Sequence, residues 1–238
     1  LLPQWAFDLH PLDKVVIPDV RADDLDDVPP DGVALARFPT AKVDGKELTQ
    51  YNVVEESGLW REHVQAYLAA CSHTDAMVGQ MLAALDASQY ANNTAVILWS
   101  DNGFHLGEKL HWHKMALWEE ATRVPLLIRA PGLVEAGGGF DLPVSLLDLA
   151  PTLTDIAGIP KPAQFEGASL LGMTPQIANE RPAQMRWGDA VSTRIGKWRW
   201  TRYPNGGEEL YDLSTDPNEY NNLLGKTGKH EGGLATLL

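Results

Sequence analysis

The segment Trp99–Lys114 reads WSDNGFHLGEKLHWHK. It gathers an acid and an amide (Asp101, Asn102), three histidines (His105, His111, His113) and a closing lysine, Lys114. A carboxylate and an amide oxygen are hard donors, suited to Ca²⁺ or Mg²⁺. Two oxygens fill only part of a shell that takes about six to eight, so further ligands must come from elsewhere. Gly103 permits a sharp turn, and SDNG is also an ordinary turn sequence in its own right. The three histidines with Asp101 make a rival set for zinc. His-x-His puts the rings of 111 and 113 on one side of an extended segment. Against zinc, two of the histidines fall in a loop, and lining a polar pocket is the competing role. Lys114 has a different use. An ammonium held beside an anionic leaving group stabilises the charge that builds in the transition state. At about 4 Å and an effective dielectric near 20, one such contact is worth about 4 kcal/mol before desolvation. The default for a lysine is a solvated surface charge. Here Trp112, Met115, Leu117 and Trp118 surround Lys114 in sequence and predict buried neighbours.

These residues need elements to hold them. TAVIL, within Thr94–Ser100, predicts a fully buried strand, which places Asp101 at a carboxyl end, where ligands of α/β sheets gather. Before it, Trp60, Val64, Tyr67, Leu68, Cys71, Val78, Met81, Leu82 and Leu85 recur at helical spacing and predict one long amphipathic helix over 58–87. Cys71 lies on that stripe and is expected to be a small buried thiol. His73 and Asp75 fall off it, toward solvent. Val124–Gly132 predicts a second strand, and the glycines at 137–139 a mobile loop. SLLDLAPTLTDIAGIP predicts a short helix with Gly158 just past its end. Beyond about residue 180, VSTRIGKWRWTRY alternates around a Gly-Lys turn, and PNGG leads into EELYDL, so antiparallel hairpins are expected. TDPNEYNNLL reads as a capped helical turn. Residues 10–58 read as an extended, Pro- and Asp-rich connector. Its cluster Asp23, Asp24, Asp26 and Asp27 reads as a solvated turn with helix-capping acids rather than a metal site. The expected fold is α/β, with residues 1–180 as part of a large domain and 181–238 as a small antiparallel α+β subdomain.

The formal charge of −13 over 238 residues argues against nucleic acid and anionic membranes as partners. An anionic substrate must therefore be drawn in by a local positive site. A single cysteine, Cys71, allows no internal disulfide and no cysteine-rich zinc site. No apolar run reaches the roughly 18–20 residues of a membrane span. A soluble chain is expected, in the cytoplasm or the periplasm. The chain opens on Leu1 without a methionine or a basic leader, and its true N-terminus is expected upstream.

SDNGFHLGEKLHWHKMALWEEATRVPLLIRAPG resembles the type I, formylglycine-dependent sulfatases of the alkaline phosphatase superfamily, near the bacterial iduronate-sulfatase-like and choline-sulfatase-like branch. YLAACSHTDAMVGQMLAALD, VSLLDLAPTLTDIAGIPKPAQFEGASL and GEELYDLSTDPNEYNNL resemble family segments in the family's order, so the likeness covers most of 60–224. The resemblance implies an alkaline-phosphatase-like mixed sheet flanked by helices. It implies Asp101 and Asn102 as two ligands of a divalent metal, Ca²⁺ with Mg²⁺ as the alternative, and Lys114 as a clamp on a sulfate oxygen. His105 and His111 fall in the substrate-pocket loop by position. The family's nucleophile motif, Cys or Ser with Pro two and Arg four residues later, is absent from these 238 residues. Its N-terminal aspartate pair is absent too. The chain thus reads as the C-terminal half of a sulfatase, inactive by itself, with the nucleophile and the N-terminal half as its missing partners and a sulfate ester or sulfated saccharide as substrate. Two other readings stay open: a phosphomonoester or phosphonate ester hydrolase of the same superfamily, and a non-catalytic metal- or carbohydrate-binding module.

Overall fold

A computed structural model describes residues 2–39 and 41–225. In chain order the elements are α1 (Gln4–Asp8), α2 (Pro30–Ala36), β1 (Ala41–Val43), β2 (Lys46–Leu48), α3 (Gln50–Ser57), α4 (Trp60–Asp86), β3 (Val96–Trp99), β4 (His105–Leu106), β5 (Trp112–His113), α5 (Glu119–Thr122), β6 (Leu126–Arg129), α6 (Leu149–Ile156), α7 (Pro175–Asn179), β7 (Ala183–Trp187), β8 (Ala190–Ile195), β9 (Trp198–Arg202) and β10 (Glu208–Asp212). They cluster into two compact units. Unit 1 takes the described residues of 1–21, 37–94 and 105–113, and unit 2 those of 22–36, 95–104 and 114–225.

Unit 1 is organised by α4, a helix of 27 residues and therefore about 40 Å long. Its buried positions are Val64 and Ala69. Cys71 is exposed, not buried as its place on the apolar stripe implied. Cys71 lies seven residues, about two turns, beyond the buried Val64 on the same side of the helix, so the cover ends along the helix before it reaches Cys71. His73 is half-buried rather than solvated, its ring 5.8 Å from that of Trp5. Residues 10–58 are not an extended connector. They hold α2, the β1–β2 hairpin and α3, the last capped by Thr49, whose hydroxyl accepts from the Asn52 N–H at 3.0 Å. Pro and Asp here mark helix starts and turns within folded chain.

Unit 2 contains two sheets. β3 and β6 pair antiparallel with Trp99 opposite Leu126, and among the described residues this ribbon has two strands. Consequently β3 is not the fully buried strand its apolar run implied: Trp99 is 47% exposed. An apolar run reports a demand for cover on both faces, and β3–β6 pairing satisfies only the strand edge. The second sheet has the order β10-β9-β8-β7, all antiparallel, as the alternating tail predicted. Gly196 supplies the positive φ (49°) in the two-residue link between β8 and β9. α6 ends in the predicted way. Gly158 (φ 64°) donates to the Asp155 carbonyl and Ile159 to the Thr154 carbonyl, a complete Schellman closure. Ahead of α6, Asp148 is fully buried. It accepts from the N–H groups of Ser145 and Ala168 and pairs with Arg181 at 2.8 Å.

Two further expectations change in unit 2. The acidic cluster is not a solvated turn. Asp24 is buried, and Asp27 accepts the Asn222 N–H at 2.7 Å. The segment 215–224 is capped as expected, Asp216 accepting from the N–H groups of Tyr220 and Asn221, but its turns are not helical. An aspartate that satisfies local N–H groups competes with helix formation. Residues 226–238 of the expected C-terminal subdomain lie outside the described residues. Among the described residues no helix is long and apolar enough to cross a membrane.

Candidate active site

Three of the residues singled out in sequence come together in unit 2. At the carboxyl end of β3, the chain turns through Ser100, Asp101, Asn102 and Gly103. The Ser100 hydroxyl donates to the Asn102 carbonyl at 2.8 Å, and the Gly103 N–H donates to the Ala121 carbonyl at 2.8 Å. A Cβ on Gly103 would sit 2.0 Å from the Glu120 carbonyl oxygen, so only glycine lets the turn lie against α5. Because Trp99 pairs with Leu126, the end of β3 and the start of β6 are adjacent. The β3–β6 pairing thereby brings residues 114–125 back to the turn.

The Asn102 side chain is oriented at both ends. Its Nδ2 donates to the Gly103 carbonyl at 2.8 Å, which turns Oδ1 the other way, and Oδ1 accepts from Lys114 Nζ at 3.1 Å. Asp101, Asn102 and Lys114 all line one cavity of about 900 Å³. The Asp101 carboxylate is exposed and makes no hydrogen bond or ion pair among the described residues. The donor set suits a hard divalent cation in part. It offers a carboxylate and an amide oxygen, and Oδ1 has a second lone pair beyond the one used by Lys114. Among the described residues no group of three or more His, Cys, Asp or Glu side chains is placed to hold a metal, so this pair is a minority of a coordination shell.

The lining also includes buried charge. Arg199, 1% exposed, donates to the Leu117 carbonyl and the Ser192 hydroxyl and is paired with Glu119 and Glu219. Glu219 in turn accepts the Glu119 N–H at 2.7 Å, which anchors the start of α5. Burial pulls the Arg194 guanidinium below the usual arginine range, and Glu119 opposes that pull. The edge strand β7 adds Arg186 and Trp187 to the lining, and Arg123 joins from the end of α5. Sequence reading missed these three. The only signal was a cation beside an aromatic at the end of an alternating run.

The cavity is lined by residues of unit 2, and that lining contains no histidine. His105 and His111 are buried in unit 1, ring centroids 5.2 Å apart and edge to face, and His105 Nδ1 lies 3.1 Å from the Glu108 carbonyl oxygen. His113 sits opposite His105 in the β4–β5 pair. The zinc arrangement of His105, His111 and His113 is therefore not formed. The segment between them carries backbone strain, with positive φ at Lys109 (58°), Leu110 (47°) and His113 (123°).

Against known families, residues 28–159 match the model described as Sulfatase, and residues 107–233 match N-sulphoglucosamine sulphohydrolase, C-terminal. A protein described as a sulfatase from Formosa agariphila is 38% identical over 224 residues, covering 93% of this chain and 43% of that protein. This chain thus spans less than half the length of that relative. A solved structure of a protein in complex with its substrate, D-glucosamine-2-N,6-O-disulfate, is 29% identical, with a TM-score of 0.61, covering 70% of this chain and 37% of the other. The phosphonate monoester hydrolase of Silicibacter pomeroyi superposes with a TM-score of 0.76 at 19% identity, covering 98% of this chain and 50% of that one. At that identity the likeness is one of fold.

Proposed function

The chain belongs to the sulfatase family, and on that premise we propose that its cavity serves the hydrolysis of sulfuric esters. The observation that carries the reading is the contact between Lys114 Nζ and Asn102 Oδ1 beside Asp101, in one cavity. Asp101 and Asn102 would hold a divalent cation, Ca²⁺ or alternatively Mg²⁺, which would supply Lewis-acid polarisation to a sulfate oxygen. Lys114 takes a sulfate oxygen from the same side and offsets the negative charge that grows as the ester bond breaks. The amide of Asn102 sets the position of that ammonium, so the clamp is oriented before substrate arrives. No residue here matches the nucleophile motif, so the chain's part is binding, orientation and charge stabilisation. The formylglycine nucleophile and the rest of the metal shell are assigned to the remainder of the complete protein.

The proposal includes His105 and His111 as substrate-side residues on the family resemblance alone. It also keeps residues 181–238 as a small C-terminal subdomain, supported by the antiparallel sheet over 183–212. The substrate class is a sulfate ester, with sulfated saccharides favoured by the 29%-identical structure that holds one. Parallel assays of the complete protein on p-nitrophenyl sulfate and on an aryl phosphonate ester test the reading. Sulfate release from the first is the expected result. Turnover of the phosphonate ester alone would replace it with the phosphonate hydrolase reading, and turnover of neither with the binding-module reading.

A further inference from the structure

Two buried charges of unit 2 converge on one short segment. Arg199 on β9 is 1% exposed, and Glu219, in the turn after β10, is 2% exposed. Arg199 Nη1 donates to the Leu117 carbonyl at 3.1 Å, Nη2 pairs with the Glu119 carboxylate, and Nε pairs with Glu219 Oε1 at 2.7 Å. The other oxygen of Glu219 accepts the Glu119 N–H at 2.7 Å. One guanidinium and one carboxylate thus hold the backbone at both 117 and 119. Glu219 itself stands at a positive φ of 58°, which a non-glycine residue keeps only where its surroundings fix it. As a source of stability a buried ion pair is poor, because desolvation offsets the attraction. What it does supply is a single permitted geometry, since any shift leaves a buried charge unpaired.

The pinned segment connects both parts of the candidate site. Lys114 lies three positions before Leu117, and its carbonyl accepts the Ala116 N–H at 2.8 Å, so the link between them is tight. Glu119 opens α5, whose Ala121 carbonyl accepts the Gly103 N–H at 2.8 Å, and Gly103 ends the turn of Asp101 and Asn102. A displacement of 117–119 therefore moves the ammonium and the turn relative to each other.

We propose that Arg199 and Glu219 are a positioning pair: acting through Leu117 and α5, they hold the Lys114 ammonium in register with the Asp101–Asn102 turn. The antiparallel tail sheet then contributes to the chemistry without touching substrate. What the register does for turnover rests on the sulfatase reading, whereas the link between the residues does not. Misplacing a catalytic group by about 1 Å can cost on the order of a hundredfold in rate, so the pair's effect should appear in kcat.

The test uses the complete protein and two near-isosteric variants, Glu219→Gln and Arg199→Lys. The amide of the first can keep one of the two contacts of Glu219 but not both. The ammonium of the second keeps the charge without the fork. Hydrogen exchange read by mass spectrometry is expected to quicken in both variants over residues 100–104 and 114–122, with α6 exchanging at the wild-type rate. Wild-type exchange over 100–104, or an increase spread evenly over unit 2 in both variants, would overturn the proposal. On p-nitrophenyl sulfate, Glu219→Gln should lower kcat about tenfold with KM little changed. In a Lys114→Ala background most of that loss should vanish, because two groups that act through one another are not additive. An equal loss in both backgrounds would make the pair merely structural. If the wild type hydrolyses no sulfate ester, the sulfatase reading falls by itself, and the exchange pattern alone sustains or removes the positioning pair.

Discussion

Lys114 donates to Oδ1 of Asn102 at 3.1 Å although they lie twelve positions apart, and the same amide's Nδ2 is tied back to the Gly103 carbonyl. The ammonium is thus placed by an amide whose direction is already set. The Gly103 contact with α5 and the β3–β6 pairing hold the backbone on which both depend.

Lys114→Ala in the complete protein is expected to lower kcat on an aryl sulfate by about 10²–10³-fold, the usual loss of one donor to a developing anion. Lys114→Arg should retain part of the rate, because the charge stays while the reach changes. Steady-state kinetics at saturating substrate reads this directly. A kcat equal to that of the wild type would take Lys114 out of the site.

Asp101→Ala is expected to lose the divalent ion on purification, and Asn102→Ala to weaken its retention. The carboxylate brings charge and the amide only a dipole, so the first loss should be the larger. Elemental analysis of the purified complete protein, with calcium and magnesium counted per chain, distinguishes the two ions as well. Full metal content in Asp101→Ala would contradict the assignment.

Alkaline pH should destabilise unit 2 for an identifiable reason. Glu209 is fully buried and accepts from Trp118 Nε1 at 2.7 Å, Tyr203 OH at 2.5 Å and Tyr211 OH at 2.6 Å. Burial first, then the charge of Glu209, pushes both phenols well above the ordinary tyrosine value. Unfolded, the two tyrosines ionise near pH 10. Folded, they keep their protons to higher pH, so above about pH 10 the native state binds more protons and stability falls as pH rises. Their contribution is fully present below pH 10 and declines by about 1.4 kcal/mol per pH unit for each tyrosine. Urea unfolding at pH 9, 10 and 11 should show that slope, and Tyr203→Phe or Tyr211→Phe should flatten it. A slope unaffected by either substitution would show that these phenols ionise alike in both states.

Much of the local structure was legible because its causes are local. Gly158 announced the end of α6 through the positive φ that a helix stop requires, and Gly196 announced the β8–β9 link in the same way. The acid-amide pair after TAVIL was legible as a turn at a strand's carboxyl end, with Gly103 to let it bend. Cys71 misled because an apolar stripe says which residues are fit for burial, not how far along the helix the cover extends. Asp24 and Asp27 misled because four acids in five residues look solvated when their partners are unseen. The amide that meets Asp27 is Asn222, 195 positions away. The strand over 96–99 was legible as a strand, while its exposure depended on what lies against it.

By itself the sequence determined the kinds of donor present, their order along the chain, the turns that glycine permits and the periodicities that select helix or strand. These follow from short-range sterics and hydrogen bonding within a few residues. Tertiary structure alone decided that Lys114 meets Asn102, that β7 carries Arg186 to the same cavity, and that His105 and His111 are buried in a different unit from it. The physical reason is that these placements depend on strand pairing and close packing between distant segments, whose free energies belong to both partners together and to neither stretch of sequence alone.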